Sequence, residues 1–221
     1  MIIFSMISAV IVSVLLVLPW RWIAPPTSAF MLAEIWQTDN AIDYRWVPLA
    51  QISPQLAIAI VASEDQKFPE HYGFDMDSIL DALSSKGKRT RGASTISQQV
   101  AKNLYLWGGR SYLRKGVEAY LTLLIESLWS KRRILEVYLN VAEFAPGVYG
   151  AEAAAQHLFS KSANRLTLYE SSLLAAVLPN PKRMYAASPS DYVRGRAQDI
   201  RQEVRQLGGP GYLPFLRLNP M

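Results

Sequence analysis

The 221-residue sequence has no cysteine. That excludes disulfides and thiol catalysis, although it does not discriminate a cellular compartment. Histidine is almost as scarce, with His71 and His157 the only two. Neither has a second histidine or a cysteine nearby to make a metal site. Charge is missing altogether from Ile2 to Trp20. There are no internal repeats and no convincing run of alternating strand residues, which argues against repeat and all-β architectures. Charged residues make up 19% of the chain against 50% hydrophobic, which argues against wholesale disorder.

What is present starts with the uncharged segment. Nineteen residues in helical geometry would span roughly 28 Å, close to the roughly 30 Å of a bilayer core. Trp20 and Trp22 suit an interface, and Arg21 can reach headgroups. The reading is one N-terminal transmembrane helix in an anchor of residues 1–24, rather than a shorter, basic-led signal peptide. The positive-inside rule, applied to Arg21 alone, would put the C-terminal side in the cytoplasm. Basic residues upstream of the given start would reverse that. A linker and juxtamembrane stretch follows at 25–50, then one catalytic-sized domain at 51–221. The net charge of +5 suggests an anionic partner, and the bland alternative is solubility alone.

Local signals make the domain mainly α. Ser53-Pro54 starts a helix that ends at Glu64. Thr95 to Gln98 reads as a capping box opening a helix to Tyr105. A helix from Ser111 carries Leu113, Val117, Tyr120, Leu121, Leu124 and Leu128 as one apolar stripe. Further helices are expected from Lys131, over 151–159, 167–178 and 191–207, with a short one at 77–85 and a basic mobile loop at 86–92.

The chemistry-bearing residues fall in two clusters. Glu64 closes a very apolar helix, where lost hydration raises a carboxylate's pKa and makes it a base near neutral pH. The plain alternative is a surface glutamate on a last turn, and a lone His71 is more often structural. Lys102, Arg110, Arg114 and Lys115 gather around a helix junction, with Glu118 one turn after Arg114. Such a set can hold a pyrophosphate, or it can be solvated charge with a helical Arg114–Glu118 pair. The basic run at 130–133 reads as an exposed helix start.

Four segments together, EDQKFPEHYGFD (64–75), RGASTISQQVAKN (91–103), RKGVEAYLTLLIE (114–126) and KRRILEVYLN (131–140), resemble the motifs of bacterial peptidoglycan glycan polymerases, glycosyltransferase family 51, in order and spacing. PPTSAFML, EAAAQHLFSKSANRLT and LLAAVLPNPKRM resemble its short, monofunctional branch. The resemblance implies a lysozyme-like α-rich lobe and a smaller membrane-associated lobe at about 74–112. It implies Glu64 as the base on the 4-hydroxyl of lipid II and Glu118 as the second carboxylate. Asp65, Phe68, His71, Ser94, Gln98, Gln99, Lys102, Asn103, Arg110, Arg114 and Lys115 are the implied substrate-binding set. No cofactor is implied as required, with Mg or Mn at the donor pyrophosphate near Glu118 left open. The implied partners are lipid II, the growing glycan and the membrane, with room for other cell-wall synthesis or division proteins and no nucleic acid. The implied location is the bacterial inner membrane, single-pass, with the catalytic domain periplasmic. A lytic, lysozyme-like hydrolase and a non-catalytic membrane adaptor are the rival readings.

Overall fold

A computed structural model describes residues 2–38, 41–77, 80, 94–109 and 111–216. Helix α1 spans Ile2–Val17. A 3-10 turn at Leu18–Arg21 follows it, with Pro19 near its start. The expected nineteen-residue helix is therefore sixteen residues, about 24 Å. Proline lacks the N–H that would continue the ladder. Among the described residues no helix is long and apolar enough to cross a membrane.

Helix α1 is tied to the rest of the chain at its C-terminal end. Val17 is fully buried, and its carbonyl accepts a hydrogen bond from Trp129 Nε1 at 3.2 Å. The Arg133 guanidinium donates to the carbonyls of Trp20 and Ile23, at 2.8 and 2.7 Å. Arg132 donates to the Phe215 carbonyl at 2.8 Å. Lys131 pairs with Glu126 at 2.7 Å and lies 4.6 Å from the Phe68 ring centroid. The basic run at 130–133 is thus a clasp between distant segments, and the expected exposed start is corrected.

Helix α2, Ala29–Thr38, lies within the stretch expected as linker and buries Met31 and Glu34. Helix α3, Pro54–Glu64, starts at the Ser53 cap, and every residue from Leu56 to Ala62 is buried. Helix α4, Ile96–Tyr105, opens with the reciprocal Thr95–Gln98 capping box. Helices α5 (Tyr112–Leu128), α6 (Lys131–Val141), α7 (Ala151–Phe159), α8 (Leu168–Val177) and α9 (Asp191–Gln206) follow. The core sits where α3 packs against α8 and α9 and where α4 packs against α5 and α6. The loop expected at 86–92 and residues 81–85 of the expected short helix lie outside the described residues.

Two expectations are corrected. The buried face of α5 runs Glu118, Leu121, Thr122, Ile125, Glu126, one step round from the apolar stripe. Leu113 is 77% exposed and Tyr120 40%; part of the stripe turns toward α1, where Ser13 Oγ and Tyr120 Oη are 2.6 Å apart. Periodicity marks an apolar face but not what covers it. The described residues also form a small sheet of β1 (Asp43–Tyr44), β2 (Glu143–Ala145) and β3 (Val148–Tyr149). Its order is β1-β3-β2, with β1 and β3 parallel and β2 and β3 antiparallel. Strands of two and three residues are too short to show alternation. Gly150 makes the turn out of β3 possible. Its φ is +89°, and a Cβ there would lie 2.6 Å from the Asn140 carbonyl oxygen.

Candidate active site

Glu64 is the last residue of α3, and packing of that helix brings its carboxylate against α4. Gln99 Nε2 donates to Glu64 Oε2 at 2.8 Å. Tyr138 Oη donates to Gln99 Oε1 at 3.1 Å, which turns the amide so that its N–H faces Glu64. Ser63 Oγ donates to Glu64 Oε1 at 3.4 Å. Burial raises the Glu64 pKa above its ordinary 4.5, partly offset by the Gln99 and Ser63 hydrogen bonds and by the charges of Arg196 and Lys102. Glu64 lines a cavity of about 320 Å³ with Ser63, Lys67, Asp75, Arg196 and Glu203 among the other walls. Gln99, Lys102 and Asn103 line a second of about 140 Å³ with Phe30 and Tyr138.

The other carboxylate is set differently. Glu118 is 3% exposed, and both its oxygens are taken by cations. Lys115 Nζ donates to Oε1 at 2.5 Å, and Arg114 Nη1 to Oε2 at 3.3 Å. Lys102 joins the two centres. Burial depresses its pKa, Glu118 and Glu64 push it back up, and Arg114 and Lys115 push it down. These residues do not fit a divalent cation as they stand. Glu118 is already paired with two cationic groups, and no set of three His, Cys, Asp or Glu among the described residues could hold a metal.

The remaining expected residues divide. Asp65, Phe68, His71 and Gln98 hold the loop and α4 in place. Asp65 accepts from the Ile96 backbone N–H at 2.9 Å and pairs with His71 Nε2 at 2.9 Å. The Gly73 N–H donates to His71 Nδ1 at 3.1 Å, which leaves Nε2 to donate toward Asp65. Gly73 lets the chain turn there, with φ at +86° and a virtual Cβ 3.0 Å from Thr122 Cγ2. Phe68 is 0% exposed, so its expected contact with substrate is corrected. An apolar side chain closing a motif loop is read from sequence as a ligand contact or as core, and here packing makes it core. Ser94 is half-buried just before the Thr95 cap. Arg110 lies outside the described residues.

A family model for transglycosylases matches residues 31–205. The chain belongs to the transglycosylase family. It is 56% identical over 211 residues to the biosynthetic peptidoglycan transglycosylase of Pseudomonas syringae pv. syringae (strain B728a), covering 92% of this chain and 89% of that one. The relative of the same name from Xanthomonas campestris pv. campestris (strain B100) is 54% identical over 209 residues, 91% and 85% of the two chains. That from Shewanella oneidensis is 52% identical over 207 residues, 89% and 86%. Three side chains at the site went unnoticed in the sequence: Tyr138, Arg196 and Glu203. Tyr138 and Arg196 carry no local signal, because each reaches a partner of Glu64 from a distant helix, and Glu203 joins them only through Arg196.

Proposed function

We infer that this transglycosylase polymerises peptidoglycan glycan strands in cell wall synthesis, with lipid II and the growing strand as substrates. The observation that carries the assignment of roles is the contrast between two carboxylates that both act on Lys102. Glu64 has a raised pKa and neutral hydrogen-bond partners, whereas Lys102, Arg114 and Lys115 surround Glu118. Glu64 takes the proton of the acceptor 4-hydroxyl. The oxygen so activated bonds to the anomeric carbon of the donor sugar. The bond from that carbon to the lipid pyrophosphate breaks, and the pyrophosphate leaves with the electron pair. Its charge is met by Lys102 and Arg114, with Arg110 assigned to the same set. Attack from the face opposite the leaving group is a single displacement, so the anomeric centre inverts and no glycosyl-enzyme forms.

The membrane reading belongs to the same proposal. Phe4, Ile7, Ile11 and Leu15 of α1 are exposed apolar side chains, as are Trp22 and Leu113. Helix α1 with its following turn enters the inner membrane, and the catalytic domain works on the periplasmic side, where such surface meets lipid instead of water. The test is incubation of the purified protein in detergent with labelled lipid II. A β-1,4-linked polymer is the expected product. Digestion of finished cell wall with no polymer from lipid II would establish the lytic alternative. A trapped sugar–glutamate adduct in the mass spectrum would overturn the displacement mechanism.

A further inference from the structure

Arg196 of α9 reaches the catalytic helix from 133 residues away in sequence. Its Nη2 lies 3.5 Å from Ser63 Oγ, and Ser63 Oγ is 3.4 Å from Glu64 Oε1. Its Nη1 donates to Glu203 Oε1 at 2.8 Å. The Arg196 side chain is 13% exposed and that of Glu203 25%. Glu203 Oε2 is buried and has no hydrogen-bond partner. Ser63, Glu64, Arg196 and Glu203 all line the 320 Å³ cavity.

A cation beside a base holds it ionised but also weakens it. A partly screened ion pair delivers less of that effect than a lone cation. Glu203 neutralises Arg196 from the side away from Ser63, so the net field at Glu64 depends on both. A buried acceptor left without a donor is an uncommon cost. We propose that Arg196 and Glu203 are a positioning pair for Glu64. Arg196 fixes Ser63 and favours the ionised carboxylate, and Glu203 sets how much of that charge Glu64 feels. The catalytic part of this inference rests on Glu64 as the base; the electrostatic part does not.

Other groups face Glu64 as well. Lys102 and Gln99 approach from α4 and Tyr138 from α6. Asp65 adjoins it in the chain, and Lys67 and Asp75 share its cavity. The test therefore compares opposite changes at one pair with everything else kept. Full-length protein labelled with ¹³C-glutamate is titrated in detergent by NMR, the Glu64 carboxyl being the resonance lost in Glu64→Gln. Arg196→Gln should move the Glu64 midpoint up by about half a pH unit or more, and Glu203→Gln should move it down by about as much. The double variant should return near the wild-type midpoint. The acid limb of the polymerisation profile should follow in the same order.

Both single variants shifting the midpoint in one direction, or neither shifting it, overturns the pair. Thermal melts check that each variant is folded. Should Arg196→Gln not fold, the sign of the Glu203→Gln shift decides alone. An unmoved midpoint with Glu64→Gln inactive removes the pair and leaves the base. Midpoints that move as expected, with Glu64→Gln fully active, support the pair and remove the base.

Discussion

Glu64 and Glu118 are the same residue type in opposite surroundings. Glu64 ends a helix buried from Leu56 to Ala62 and takes its hydrogen bonds from a neutral amide and a hydroxyl. Glu118 sits in the middle of a helix and takes both of its contacts from cations. Lost hydration raises the first toward the range of a working base. Glu118, clasped by Arg114 and Lys115, is placed to hold those cations in register. On the proposed mechanism, proton removal and leaving-group charge are separated by changing the neighbours and not the residue.

The largest expected effect lies on the Glu64 side. Glu64→Gln keeps the shape and removes the base, so polymerisation should fall about 10²–10⁴-fold while the variant still melts cooperatively as a folded protein. Near-normal polymer from the folded variant would erase the contrast. On the other side, Arg114→Ala should lower turnover about 10–10²-fold and change KM by much less, because its cation matters most as charge builds on the departing pyrophosphate. Equal losses in binding and turnover would instead make Arg114 a uniform substrate contact.

A smaller effect sharpens the Glu64 half. Gln99→Leu removes a bond that favours the ionised carboxylate, so the pKa should rise further. The acid limb of kcat/KM should then move up by about half to one pH unit, with activity recovering as the pH is raised. A flat loss across all pH values would mean that Gln99 only shapes the cleft.

The smallest effect is thermodynamic, and its sign differs between the two residues. The folded pKa of Glu64 is raised, so its contribution to stability is complete below the unfolded value of 4.5 and is lost as pH rises through the folded value. The melting temperature of Glu64→Gln relative to wild type should therefore climb as the pH rises above 4.5, by about 2–4 °C per kcal/mol recovered. Glu118→Gln should instead lose about 1 kcal/mol at neutral pH, since removing the buried carboxylate leaves Arg114 poorly paired; the half-exposed Lys115 adds little. Melts that change in parallel for both variants would put the two sites in one electrostatic class.

Helix starts were legible because a cap is a local device. Ser53, Thr95, Ser111, Ser130, Thr167 and Ser190 each accept the backbone N–H that their own sequence places two or three residues on. The glutamates and the cationic cluster were legible for a related reason, since charge beside an apolar run or a helix junction can be seen in a short window. The small sheet was not, because its three strands are too short to leave a pattern. Nor was the inward turn of Glu118 and Glu126, since the apolar stripe beside them looked like the core face.

The sequence by itself determined the helical class, most helix boundaries and the charged residues of the two clusters, because these are visible within a few residues. Only the tertiary structure decided which of those residues touch. Tyr138 orients Gln99 on Glu64, and Arg133 clasps the carbonyls of Trp20 and Ile23. Phe68 went to the core, and Arg196 came to the cavity. Each of these contacts joins helices far apart in the chain. What sets them is how buried faces fit together, and no short stretch of sequence carries that fit.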